Sequence, residues 1–155
     1  MKKLIFGIGN PGPEYQGTRH NVGRDFAVFA NGSESDVFMN TSGLVVKKFL
    51  KEKKCKPVDL VVAHDDIDIP FGEFKISFGR NSGGHKGVQS IIDHLHTNEF
   101  WRVRIGIAPA NVAAIRAKGA VADFVLAKFS PSQRKQLPEI FHAAYEELKH
   151  RLDHP

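Results

Sequence analysis

"DLVVAHDD", residues Asp59 to Asp66, joins an unbroken apolar run to a cluster of ionisable side chains. Leu60 to Ala63 does not alternate with polar residues, which is the pattern of a strand covered on both faces, as in a parallel sheet between helical layers. Asp59 to Ala63 therefore reads as a buried strand with His64, Asp65 and Asp66 at its carboxyl end. In open α/β sheets the ligand crevice lies beyond that end.

The flanking chain has the same alternation of strand and helix. Lys3 to Gly7 reads as a short buried strand, and His20 to Ala30, carrying Val22, Phe26 and Phe29, as a helix. Asn31 to Ser35 is a tight polar connection into Val37-Phe38-Met39, a run just long enough for a second strand. Ser42, as N-cap, opens a helix with Leu44, Val45, Phe49 and Leu50 on its apolar stripe, and the lysines from Lys51 to Lys56 suit its dipole. Phe74 to Phe78 alternates, so a half-buried strand is expected, paired antiparallel through the Pro70-Phe71-Gly72 turn. Gly79 to Gly84 is a glycine-rich loop before a helix bearing Val88, Ile91, Ile92 and Leu95. Trp101 to Ile107 is a further strand. A C-terminal helix is expected over about 131–153, with Pro138 as a kink or as its true start. The expected fold is a single α/β domain, residues 1–155, with a mostly parallel, mixed, twisted sheet flanked by helices.

A length of 155 residues suits one core, and 41% hydrophobic with 25% charged residues is ordinary for a globular chain. Twenty-two Lys and Arg against seventeen Asp and Glu give a net charge of +5, a bias that suits an anionic partner such as nucleic acid and is equally met by solvated lysines. The single cysteine, Cys55, excludes an internal disulfide and a Cys-rich metal site. Met1-Lys2-Lys3 begins like an export signal, but Gly7, Gly9 and Pro11 cut the apolar run short, so a cytoplasmic protein without membrane association is expected.

Three polar clusters follow the expected strands: Gly9-Asn10, Asn40, and His64-Asp65-Asp66. Their convergence nominates one site containing Asn10, Asn40 and Asp65. Gly7, Gly9 and Gly12 spell G-x-G-x-x-G, yet Pro11 and Pro13 flank the last glycine where a dinucleotide site needs free helix amides. The glycines read instead as turn formers that bring the strand end close to a substrate. Ser42 and Ser82 lack a nucleophile elbow. His64, Asp65, Asp66, Asp68 and His85 could approach one another around a metal, although no zinc-binding spacing is present. His20 and Asp65 form a better pair, because a histidine oriented by a carboxylate can take a proton from water near neutral pH. Each also has a plain alternative, His20 as a helix cap and Asp65 as an acceptor for loop amides.

The stretches "GIGNPGPEYQGTRHNVG", "FMNTSG", "VAHDDIDIPFG", "GGHKG" and "RVRIGI" occur in the order and context of bacterial peptidyl-tRNA hydrolase, and the chain resembles that family through nearly its whole length. The resemblance implies hydrolysis of the ester joining peptide to tRNA in stalled peptidyl-tRNA, releasing free tRNA and an N-blocked amino acid or peptide, with no metal or organic cofactor. It implies His20 as general base, Asp65 as its orienting carboxylate and Asn10 as the residue that positions ester and water. Asn40 would bind the peptide, Tyr15 the tRNA 3′ end, and Phe38, Met39, His85 and Lys86 would line the substrate groove. Lys75, Arg80 and Arg104 would form a phosphate clamp. Ala108 to Ala122, with Arg116 and Lys118, resembles the family's mobile lid. A monomer acting on the acceptor end of peptidyl-tRNA is expected.

Two features depart from the family. A longer first helix and a pair of strands usually precede F-M-N, where this chain has only Asn31 to Asp36, so edge strands should be missing and the sheet narrower. Lys86 stands where an asparagine is usual; it offers donors and a charge but no acceptor. The position of Ser77, also commonly basic, suggests a clamp displaced onto Lys86 or Arg80. The alternative reading is a non-catalytic RNA-binding module on the same fold, against which stands the joint retention of Asn10, His20, Asn40 and Asp65. A nucleotide-dependent oxidoreductase is a third.

Overall fold

A computed structural model describes residues 3–155, so the basic start at Met1 and Lys2 lies outside the described residues. Strands β1 (Leu4–Gly7), β2 (Ser33–Glu34), β3 (Leu60–Pro70), β4 (Phe74–Phe78) and β5 (Trp101–Ala108) form one sheet in the order β2-β1-β3-β5-β4. Only β4 runs antiparallel to its neighbour. Helices α1 (Val22–Phe29), α2 (Ser42–Glu52), α3 (Lys86–Leu95), α4 (Val112–Ala117), α5 (Val121–Leu126) and α6 (Pro131–Asp153) complete the fold. This is the α/β architecture with a mostly parallel mixed sheet expected from the sequence.

The apolar run of β3 serves both faces. Val61 and Ala63 pack with Val22, Phe26, Phe141 and Leu148 on the α1/α6 side, while Leu60 and Val62 pack with Val46, Leu50, Val88 and Ile91 on the α2/α3 side. Gly23 and Gly7 let α1 lie against the sheet: a Cβ on Gly23 would fall 2.2 Å from the Ala63 carbonyl oxygen, and one on Gly7 2.6 Å from Ala27 Cβ. Gly7 is thus a packing residue inside β1 and not a turn former, whereas Gly12, at φ 106°, does occupy a turn that glycine favours.

Several local expectations are corrected. β3 does not stop at Ala63; β5 pairs beside it through Asp66 and again at Pro70, which keeps the polar residues in the strand. Because β1 and β5 occupy both edges of β3, β4 pairs with the far edge of β5. The turn after Pro70 crosses β5 at Gly106, where a Cβ would sit 2.2 Å from the Pro70 carbonyl oxygen. The second strand is Ser33–Glu34 and not Val37–Met39. Ser35 Oγ accepts from the Val37 amide at 3.3 Å and donates to its carbonyl at 3.1 Å, turning the chain, and Met39 starts a 3-10 turn. Ser42 is not the cap of α2, since its hydroxyl donates back to the Met39 carbonyl at 2.7 Å. The segment expected as a lid loop contains α4 and starts α5. Helix α6 begins with a reciprocal Ser130/Gln133 cap and Pro131 in its first turn, and runs through Pro138.

Candidate active site

The pairing of β1 with β3 ends at Gly7 opposite Ala63, so His64 and Asp65 lie beyond the end of β1 and beside the turn that carries Asn10. That turn is held by Asn21. The Asn10 amide donates to Asn21 Oδ1 at 2.9 Å, and Asn21 Nδ2 donates to the Asn10 carbonyl at 2.9 Å, with Asn21 buried. Asn10 Oδ1 accepts the Met39 amide at 2.8 Å. The acceptor end of the Asn10 side chain is therefore used, and Nδ2 is the end left to serve a ligand. Asn21, which fixes this geometry, was not singled out from the sequence; its one signal was its place directly after His20.

His20 sits in the 3-10 turn Arg19–Asn21 at the start of α1. Its Nδ1–H donates to Asp65 Oδ2 at 2.8 Å, while His85 Nε2–H donates to Asp65 Oδ1 at 2.7 Å. His85 is also the N-cap of α3, and its Nδ1 accepts from the Val88 amide at 3.3 Å. That cap assigns His85 the tautomer with its proton on Nε2. Both oxygens of Asp65 are thus occupied by imidazole donors, and His20 keeps Nε2 for chemistry. Burial would raise the Asp65 pKa, but the His85 and His20 imidazoles, through charge and hydrogen bonds, hold the carboxyl well below the usual carboxylate range.

A third imidazole, His64, packs against His85 with ring centroids 4.9 Å apart. It is buried, its Nδ1 donates to the Asp65 carbonyl at 2.7 Å, and its Nε2 has no partner among the described residues. Burial, with the neighbouring His85, pushes its pKa down to about 3, so it is neutral at physiological pH.

The metal set considered from sequence is divided. Asp66 Oδ2 accepts from Arg104 Nε at 2.9 Å, and Asp68 pairs with Arg116. His20, Asp65 and His85 do place ligand atoms within 4.8 Å of one another. Those atoms already face each other as N–H···O hydrogen bonds, so a cation among them would have to displace both. The trio is arranged for handling a proton.

Two clefts meet at His20. One, of about 780 Å³, is lined by Asn10, His20, Phe38, Met39, Asn40 and Lys86. Exposed Phe38 stands edge-on to Tyr15 with ring centroids 6.0 Å apart, and Asn40 is also exposed. Met39 is buried, and a Cβ on Gly87 would lie 2.5 Å from its Cγ, so Met39 ties the cleft wall to α3. The other cleft, of about 600 Å³, runs from His20, Asp65 and His85 beneath α5 to Arg80, Arg102 and Arg104. Lys86 and Asn10 border both.

A third cavity, of about 490 Å³, lies at the β4 edge with Lys75, Ser77, Arg80 and Arg104 in its wall. Lys75 is directly opposite Arg104 in the ladder, and Arg104 Nη1 donates to Ser77 Oγ at 3.1 Å. The basic residues expected as a clamp are therefore brought together, with Arg104 already partly neutralised by Asp66. Arg102 was missed in the sequence, although the alternation of W-R-V-R places it on the same face as Arg104.

The α4–α5 segment is tethered at two points. Arg116 pairs with Asp68, and the Arg19 guanidinium lies 4.0 Å from the Phe124 ring centroid and donates to the Phe124 carbonyl at 3.0 Å.

Comparison with known proteins bears on this arrangement. The family model described as peptidyl-tRNA hydrolase matches residues 4–30 and 33–154, with its interruption at Asn31-Gly32, where the sequence shows its shortened connection. The peptidyl-tRNA hydrolase of Syntrophotalea carbinolica is 36% identical over 176 aligned positions, covering 95% of this chain and 88% of that protein. Those 176 positions exceed the 155 residues of this chain, so the relative carries residues that it lacks. The peptidyl-tRNA hydrolase of Thermodesulfovibrio yellowstonii is 38% identical, covering 94% and 89%. Among solved structures, peptidyl-tRNA hydrolase from Acinetobacter baumannii superposes with a TM-score of 0.78 at 31% identity, covering 93% of this chain and 85% of that one.

Proposed function

Since the chain belongs to the peptidyl-tRNA hydrolase family and is an enzyme that hydrolyses peptidyl-tRNA, we propose that His20, Asp65 and Asn10 perform the reaction on a water molecule. The observation that carries this reading is the 2.8 Å contact between His20 Nδ1 and Asp65 Oδ2 at the meeting of the two clefts. With Nδ1–H committed to the carboxylate, His20 Nε2 takes a proton from water as its oxygen attacks the ester carbonyl. Asp65 stabilises the resulting imidazolium, and Asn10 Nδ2 donates to the developing oxyanion. Collapse of the tetrahedral intermediate returns the proton from His20 Nε2 to the leaving ribose oxygen. The products are tRNA with a free hydroxyl and an N-blocked peptide acid. General-base assistance of this kind contributes roughly 10²–10⁴-fold, and positioning supplies much of the rest.

Asn40, Phe38, Met39, His85 and Lys86 bind the peptide side, with Tyr15 at the 3′-terminal nucleotide. Lys75, Arg80 and Arg104 take the phosphate backbone of the acceptor end, an assignment supported by their shared cavity. Phosphate contacts of this kind orient RNA without reading sequence. Residues 108–122, which hold α4 and the start of α5, act as a lid over the cleft that leads away from His20. We infer a cytoplasmic monomer, as the substrate is a translation intermediate and one chain supplies every side chain of the site. No helix among the described residues is long and apolar enough to cross a membrane.

The reading is tested by incubating the native protein with N-acetyl-aminoacyl-tRNA and with unblocked aminoacyl-tRNA. Release of tRNA from the blocked substrate, with little from the unblocked one, is expected. Binding of tRNA without release from either would favour a non-catalytic RNA-binding module.

A further inference from the structure

We propose that Arg102 binds a phosphodiester of the substrate's single-stranded acceptor end, on the floor of the cavity that leads away from His20. The inference rests on the peptidyl-tRNA reading above and adds to Lys75, Arg80 and Arg104 a residue that does not line their shared cavity at the β4 edge.

Arg102 lies on β5 with only 3% of its surface exposed. Its one hydrogen bond among the described residues runs from Nη2 to the Asn81 carbonyl at 2.7 Å. No carboxylate pairs with it among those residues, and Asp66, whose charge is felt at Arg102, is engaged by Arg104. A buried charge without a counter-charge is costly, and the cost is relieved by an anion. Burial, followed by the like charges of Arg104 and Arg80, draws the Arg102 pKa down to about 10, in keeping with that deficit.

The cavity itself has the sign required. Asp65, Asp66 and Asp68 line it, yet the first is enclosed by two imidazoles and the other two are matched by arginines. Arg80, Arg102 and Lys86 have no ion-pair partner among the described residues, so the wall is left net positive. Arg102 stands opposite Val62 and Asp65 opposite Ile105, which sets their backbones about 10 Å apart along the strands, and the same cavity reaches His20, which Asp65 holds, so one extended substrate spans from His20 to Arg102. A guanidinium fork matches the oxygens of a phosphate, and the neighbouring Asn81 carbonyl leaves the remaining donors for it. A free phosphate shares this chemistry.

The test compares native protein with Arg102→Gln and Arg102→Lys on N-acetyl-aminoacyl-tRNA, measuring kcat and KM across a salt series. Arg102→Gln should raise KM roughly tenfold or more, leave kcat nearly unchanged, and reduce the slope of log(kcat/KM) against log salt by about 1. Arg102→Lys, which keeps the charge, should restore the salt slope and part of the KM. A fall in kcat with an unchanged salt slope would mean that Arg102 only supports the Asn81 loop, and would overturn the proposal. So would inorganic phosphate inhibiting the native protein but not Arg102→Gln while the variant's KM for tRNA stayed native, which would assign the pocket to a free anion. Failure of the native protein to hydrolyse the ester would contradict the peptidyl-tRNA reading itself. Native hydrolysis with KM and salt slope unaltered in Arg102→Gln would contradict the Arg102 assignment alone.

Discussion

The Met39 backbone amide donates to Asn10 Oδ1 at 2.8 Å, so the segment just after the shortened connection orients a side chain in the turn after β1. Asn10→Asp keeps an acceptor for Met39 but removes the Nδ2 donor and places negative charge where the oxyanion would form. The expected result is a fall in kcat of about 10²–10³-fold with little change in melting temperature. Steady-state kinetics beside a thermal melt check it.

Asp65 accepts one imidazole N–H on each oxygen. In Asp65→Asn an amide NH₂ must face one of those histidines, which forces a tautomer change or leaves two donors opposed. If His20 is the one disturbed, its Nε2 becomes protonated and unfit as a base. We expect kcat to fall by about 10²–10⁴-fold, with a lower melting temperature from the poorly paired buried group.

Acid should weaken the fold through His64. Its pKa is pushed from 6.5 down to about 3 in the folded chain, so below pH 6.5 the unfolded chain binds the extra proton. Stability present above pH 6.5 is therefore lost progressively as pH falls toward 3, by about 2 kcal/mol at pH 5. Asp65 adds a loss at still lower pH, because its folded pKa is depressed below the ordinary carboxylate value. Urea unfolding at pH 7 and pH 5 should show a smaller pH effect in His64→Gln than in the native chain.

Asp25 behaves in the opposite sense. Burial, only partly offset by Arg24, raises its pKa to about 6. Its ionisation therefore costs folding free energy as pH rises from about 4 through 6. Asp25→Asn should stabilise the protein by about 1–3 kcal/mol at pH 8, and the gain should vanish near pH 4. Paired thermal melts at the two pH values measure the difference.

Much of the fold was legible because its signals are local. The continuous run Leu60–Ala63 announced a two-sided strand, and the helical spacing of Leu137, Phe141, Ala144 and Leu148 announced α6. What escaped depended on partners distant in sequence. Nothing in DLVVAHDD shows that β5 will pair beside it through Asp66 and hold the polar residues in a strand. Nor does Phe74–Phe78 show that β3 has no free edge, which decides that β4 joins β5. At the site, the residue types around His20 and Asp65 pointed to proton chemistry. The locks were invisible: Asn21 is tied to Asn10 across 11 positions and His85 to Asp65 across 20. Arg102 escaped because burial turned one of two alternating arginines from a surface charge into a cavity wall.

The most direct measurement is kcat for His20→Ala against native protein on saturating N-acetyl-aminoacyl-tRNA, with melting temperatures recorded for both. A loss of about 10²–10⁴-fold, with similar KM and melting temperature, is the predicted result. A kcat within a few-fold of native would contradict His20 as the base and, with it, the assignment of the site.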